Sequence, residues 1–336
     1  MVDKKAAGNA EDRPLLMAVS ARALLDMRAE TEFLESHSLE EYSARQRKLA
    51  NKPLKPGVAF TFVERMLSLN AITKPGEGKL VEVVIASHMD PDTGMRVTNS
   101  VYELGLPIRM ALFTSGSSLV RPLSRMGVRL YLSMSSGAVQ EAVDAGLPAG
   151  QILTDKPITE HDDSHGEIRL GFDFDGVIGD DSSEDLFRRV GLEGFNDNER
   201  KKSNVPLSDG PLGPFMRSLA VIQKAEQAEA TATNGTYKPR LRVGVITSRG
   251  IPADARVMST LRSIGVRVDD AAFMDGHDKS MMIQALRPHL FFDDQIRHLD
   301  NAKHIAPAVH VPFGVANETA SVVNAGDRAD DAERQA

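Results

Sequence analysis

Short apolar runs recur along the chain, and each gives way to a stretch whose apolar positions fall at helical spacing. They read LLMAVS from Leu15, LVEVVIAS from Leu80, IRMALF from Ile108 and VRLYLS from Val128. The second half continues with IRLGFDF from Ile168, LRVGVIT from Leu241, AAFM from Ala271, HLFFDD from His289 and AVHVPF from Ala308. Near-continuous apolar strands alternating with helices predict an α/β fold whose parallel sheet is covered on both faces. Residues 1–13 and 318–336 are polar and lack this periodicity, so both ends are expected to be disordered.

The pattern repeats. Residues 47–57, RKLANKPLKPG, and 200–210, RKKSNVPLSDG, both fit R-K-x-x-N-x-P-L-x-x-G. A second pair, RVTNSVYELGLPIRMALFTSG from Arg96 and RVMSTLRSIGVRVDDAAFMDG from Arg256, shares Arg, Val, Gly, Ala, Phe and Gly at constant spacing. The same order in both halves predicts an internal duplication into two tandem parallel-sheet units, residues 14–155 and 165–316, joined by the polar stretch TDKPITEHDDSHGE. In the second unit the segment between Asp175 and Thr247 is too long for a simple crossover. Its helical runs SSEDLFRRVGL and PLGPFMRSLAVIQKAEQ predict an insertion over about 181–238.

Composition narrows the chemistry mainly by exclusion. With no Cys among 336 residues, a disulfide scaffold, a Cys-ligated metal and a thiol nucleophile are ruled out. A net charge of −7 argues against a broad nucleic-acid surface, which needs clustered Lys and Arg. No apolar run approaches the roughly 18 residues of a spanning helix, and the charged start MVDKKAAGNAEDR does not resemble a secretory signal, so a cytoplasmic protein without membrane contact is expected. The nine His are scattered, with His161 and His165 in the polar linker, and a His-based metal site is not expected.

Candidate chemistry gathers in the second unit. In GFDFDGVIGDDSSE, Asp173 and Asp175 stand two apart at the end of an apolar run, where strand alternation points them to one side and Gly176 lets the chain turn. Ligands of open parallel sheets bind at such strand ends, and paired carboxylates there favour a hard divalent cation such as Mg²⁺. Thr247, Ser248 and Arg249 end another strand, offering hydroxyl and N–H groups to phosphoryl oxygens. Lys279 begins an apolar-periodic helix, and Asp293 with Asp294 closes HLFFDD, either of them available to the metal. Taken singly, each also fits a turn, a helix cap or a solvated side chain. The conjunction of Asp-x-Asp, Thr, Lys and Asp-Asp, in that order at strand ends, resembles the haloacid-dehalogenase-like phosphatases.

The wider text is similar to one family within them. AVSARALLD, NKPLKPGVAF, DTGMRVTNSVYELGL, GFDFDGVIGDDSSE, RPHLFFDDQ and HVPFGVA resemble the cytosolic 5′-nucleotidases of type I, over residues 15 to 317 or so. The resemblance implies Mg²⁺-dependent hydrolysis of nucleoside 5′-monophosphates, with the insertion acting as a cap that selects the substrate. Asp173 would be the nucleophile and Asp175 the proton donor, Lys279 and Thr247 would stabilise phosphoryl charge, and Asp173, Asp175, Asp293 and Asp294 would form the metal set. Phe195, Asn198, Lys201, Lys202, Asn204, Ser248 and Arg249 are candidates for substrate contact. Phe174 and Gly176, where animal members tend to carry Gly and Ala, leave base preference open. A nucleotide effector and a homo-oligomer stay open as well. Two other readings stand beside it: a phosphatase for another small phosphate ester, which would not need the base, and a nucleotide-binding regulatory protein, which would release no phosphate.

Carrying the repeat spacing back pairs Ser20 with Asp173, Arg22 with Asp175, Leu119 with Lys279, and Ser133 and Met134 with Asp293 and Asp294. The first unit therefore lacks every group of the set and is expected to support packing, with Arg22 and the Arg96 region as an alternative anion site.

Overall fold

The computed structural model describes residues 14–154 and 166–317; the linker with His161 and His165, and the two ends expected to be disordered, lie outside the described residues. The strands are β1 (Leu15–Val19), β2 (Leu25–Asp26), β3 (Lys55–Pro56), β4 (Val81–Ser87), β5 (Met110–Phe113), β6 (Leu130–Ser133), β7 (Ala149–Ile152), β8 (Ile168–Phe172), β9 (Leu241–Thr247), β10 (Asp270–Phe273), β11 (Leu290–Asp293) and β12 (Ala308–His310). Apart from the small β2–β3 ribbon, they form one ten-stranded sheet in the order β10-β9-β8-β11-β12-β7-β6-β1-β4-β5. Read outward from the middle, both halves run third-from-edge in the same way: β12-β11-β8-β9-β10 mirrors β7-β6-β1-β4-β5.

Every neighbouring pair in this sheet is parallel except β7 with β12, where Ile152 faces Val309 and Gln151 faces His310. The strands of the two expected parallel-sheet units thus lie in one sheet, joined by an antiparallel seam. The physical reason is that each half leaves a strand with unpaired N–H and C=O groups at its inner edge, and the two edges satisfy one another. The seam strand β7, AGQI, carries too little apolar pattern to be read from sequence. Its Gly150 is required there, because a Cβ would run into the Val309 side chain opposite.

Central strands are buried on both faces, as the continuous apolar runs require. Along β1, Leu15, Met17 and Val19 enter a core cluster on one face, while Leu16 and Ala18 enter another on the opposite face. The first cluster continues across the seam through Phe172 and Phe292 of the second half. The edge strands β5 and β10 are only partly buried.

The segment expected to form an insertion divides in two. Helix Gly213–Ala232 packs Phe215, Met216 and Leu219 into the core, with the Phe215 ring 6.3 Å from both Phe172 and Phe292, so it covers the sheet. Only helix Ser182–Lys201, kinked at Gly191, brings residues to the strand ends. The first half carries helices at the matching positions, Arg28–Ser36 with Leu39–Lys48 and then Phe60–Ser68, so these elements are not peculiar to the second half.

Candidate active site

Three central strands of the second half deliver the chemistry. β8 lies between β9 and β11, with Phe172 in register with Val245 and Phe292, so the residues following these strands emerge together. Asp173 follows β8 and donates its backbone N–H to the Phe292 carbonyl at 2.7 Å. Thr247 ends β9, Asp293 ends β11, and Lys279 is the N-cap residue of helix Ser280–Leu286. The Lys279 ammonium lies 2.8 Å from Asp173 Oδ2 and 2.7 Å from Asp293 Oδ2, buried with both. The expected joining of Asp173, Lys279 and Asp293 is what the fold produces.

Electrostatics make this cluster short of positive charge. Asp173, Asp293 and Asp294 are all buried, against the single ammonium of Lys279. Burial pushes Asp173 up to about 6 despite Lys279, with Asp293 adding to the rise. Asp294 is pushed up to about 10 by burial and then by Asp173, Asp293 and Glu184. Asp293 is held below the ordinary value, since Lys279 and His298 outweigh its burial. Lys279 is raised by the two carboxylates against the effect of burial. Asp294 Oδ1 is buried with no hydrogen-bond partner, and its other oxygen sits where any side chain on Gly176, at φ 69°, would collide with it. Such a set of buried oxygens with an orphaned acceptor fits a hard divalent cation.

Asp173, Asp293 and His298 bring ligand atoms within 4.8 Å of one another and could hold a metal ion; of the four acids expected to share one, two fall in this group. His298 Nδ1 stands 3.2 Å from Asp293, one turn into helix Ile296–Ala302; sequence reading passed it over, although its place five residues after Asp293 was a usable signal. Asp175 is not in this group. β8 ends at Phe172, so strand alternation does not extend to Asp175, which stands just before the turn at Gly176 and bridges to Gly179. Arg249 holds it through Nε and Nη2 at 2.8 and 2.7 Å, and also reaches Glu199 from Nη1 at 2.6 Å.

Asp173, Asp175, Thr247, Ser248 and Phe195 line one cavity of about 700 Å³, together with Phe187 and Leu192 of the kinked helix. Arg249 lines it too, but with its guanidinium engaged by two carboxylates rather than presented to a ligand. Lys202 and Asn204 do not line it. They lie exposed past the end of helix Ser182–Lys201, in a loop that turns its backbone to the protein: the Val205 carbonyl accepts from Arg256 and the Leu207 N–H donates to Thr260. Asn198 donates to Glu199 at 3.2 Å, and Glu199, wholly buried, is a member of the site that the sequence did not single out.

In the first half the matching strand ends carry hydroxyls. Ser20 caps helix Ala21–Leu24, and Ser133 accepts from the Ser135 N–H. Arg96 is not open to an anion: it is buried and donates to Glu30 at 2.8 Å and to the Lys52 carbonyl at 2.9 Å.

The model of the 5′-nucleotidase family matches residues 7–318. The chain belongs to that family. It is 31% identical over 295 residues to human cytosolic 5′-nucleotidase 1B, covering 87% of this chain. The chain spans about half of that relative's length, 47%. No solved structure matches it. Among the described residues no helix is long and apolar enough to cross a membrane.

Proposed function

We propose that this chain hydrolyses nucleoside 5′-monophosphates of the AMP or IMP type to nucleoside and phosphate, with Mg²⁺, in the cytosol. The observation that carries the reading is Lys279 bridging Asp293 to Asp173, which with Thr247 lines the cavity, in a chain of the 5′-nucleotidase family. Asp173, Asp293 and His298 would hold the cation, with Asp294 behind them. When bound, Mg²⁺ offsets the repulsion between the phosphate and the carboxylates.

An Asp173 oxygen attacks phosphorus in line and forms an aspartyl-phosphate as the bond to the nucleoside 5′ oxygen breaks. Asp175 gives that oxygen a proton, and in the second step takes one from the water that cleaves the acyl phosphate. Lys279 and the Thr247 hydroxyl stabilise charge on the phosphoryl oxygens. Helix Ser182–Lys201 acts as the cap, with Phe187, Leu192 and Phe195 beside the substrate. Matching strand orders and matching hydrogen bonds of Arg96 and Arg256 support a haloacid-dehalogenase-like unit duplicated within the chain.

Phosphate release measured with Mg²⁺ on AMP, IMP, pyrimidine monophosphates and ribose 5-phosphate tests this reading. Release from the nucleotides, lost on chelation and much reduced without the base, is expected. No release from any nucleotide would refute it.

A further inference from the structure

The charged network behind the cavity has two limbs. In the first, Arg256 donates from Nη1 to Glu199 at 2.8 Å and from Nε to the Val205 carbonyl at 2.9 Å. The first half repeats it, with Arg96 donating from Nη1 to Glu30 at 2.8 Å and from Nε to the Lys52 carbonyl at 2.9 Å. Even the neighbouring hydroxyls agree: Ser100 accepts from the Leu54 N–H at 2.9 Å, and Thr260 from the Leu207 N–H at 3.0 Å. A device present with and without the acids is architecture.

The second limb is repeated only in part. Glu30 also carries a second arginine, Arg45, whose Nε donates to Oε2 at 2.9 Å, but Arg45 belongs to helix Leu39–Lys48 and not to a strand end. Arg249 follows β9 and links Glu199 to Asp175, whereas the repeat spacing places Met89, buried in the core, opposite Arg249 and Arg22 opposite Asp175. What accompanies the chemical groups is this link from the arginine to Asp175.

Its geometry bears on catalysis. Both oxygens of Asp175 accept from one guanidinium, which leaves each a second lone pair and fixes the direction in which the carboxyl group points. Where Arg249 stands therefore decides where Asp175 points, and a buried cation needs firm partners of its own. Glu199 supplies one. It is wholly buried, fixed by Arg256 and Asn198, and accepts from Arg249 Nη1, a nitrogen that Asp175 does not use. The rings of Phe174 and Phe195 face the same guanidinium at 5.0 and 5.5 Å and keep it seated.

We propose that Glu199 is a positioning residue for Asp175: by anchoring Arg249, it aims the Asp175 carboxyl group at the leaving oxygen. This rests on the reading of Asp175 as proton donor. The proton given up as the P–O bond breaks is recovered from the water that attacks the aspartyl-phosphate, so the cycle balances.

The test uses two leaving groups. A nucleoside leaves as an alkoxide and needs a proton, whereas p-nitrophenolate leaves without one. In Glu199→Gln, kcat for AMP is expected to fall about tenfold more than kcat for p-nitrophenyl phosphate. Equal losses on both substrates, or no loss, would overturn the proposal. Arg249→Lys keeps the cation but cannot span both carboxylates; it is expected to show the same selectivity and provides the test if Glu199→Gln does not fold. Arg96→Gln, which breaks the matching contact in the first half, is expected to affect both substrates alike; a selective loss there would count against the proposal. Wild-type protein inert toward both substrates would remove the phosphatase reading itself, a result distinct from unselective loss in an active enzyme.

Discussion

The two halves of this molecule share strand order, helix placement and the hydrogen bonds around Arg96 and Arg256, yet they differ in what stands at their strand ends. The first half ends β1 and β6 in Ser20 and Ser133, short hydroxyls that satisfy nearby backbone N–H groups and leave nothing unbalanced. The second half ends β8 and β11 in Asp173, Asp293 and Asp294, buried and under-compensated by one lysine. One backbone thus supports a self-satisfied arrangement of hydroxyls and a buried cluster of acids with too few partners. Burying unpaired carboxylates is costly unless something outside the chain completes them. The contrast therefore separates groups satisfied within the fold from groups that are not.

The sharpest way to break the comparison is Asp173→Asn, which keeps the shape and removes the nucleophile. Phosphate release from AMP is expected to drop by on the order of 10⁴-fold or more, with the protein still folded. Near-normal turnover would move the nucleophile elsewhere. A substitution on the other side, Arg96→Met, strips Glu30 of its buried arginine partner. Stability should fall by about 3–5 kcal/mol in denaturant unfolding, while kcat of the folded fraction is unchanged. A selective loss of kcat would mean that the first half takes part in the chemistry.

Proton linkage gives a subtler contrast. Without a cation, Asp173 at about 6 and Asp294 at about 10 keep protons in the folded protein that their ordinary value of 3.8 would release on unfolding. The metal-free protein therefore loses stability as pH rises from about 4 through 6, and further toward 10. Mg²⁺ bound at these acids would compete with those protons, so its stabilising shift of the melting temperature should be larger at pH 8 than at pH 5. An equal shift at both values would show that these acids are not what the ion meets. The smallest effect is expected for Lys202→Ala with Asn204→Ala, which should leave KM for AMP within about twofold, because exposed positions away from a site contribute little.

Much of this arrangement was legible in the residues. The nine apolar runs correspond to nine strands of the main sheet, because central parallel strands are buried on both faces and must be apolar throughout. The order of Asp173, Thr247, Lys279 and Asp293 at strand ends was readable for the same reason: chain position fixes which end of a parallel strand a residue occupies. β7 was not, since its four residues AGQI owe their place to pairing with β12 rather than to any pattern of their own.

Sequence alone determined nine strands of the main sheet, the repeated motifs and which half carries the acids and the lysine, since these depend on local periodicity and residue identity. Tertiary structure decided the rest. It joined the halves at an antiparallel seam, paired Asp175 with Arg249, and brought His298 to Asp293 and Glu199 to Arg249. Those outcomes depend on which groups, distant along the chain, meet in a low-dielectric interior, where partners are chosen by distance and charge and no spacing along the chain encodes them.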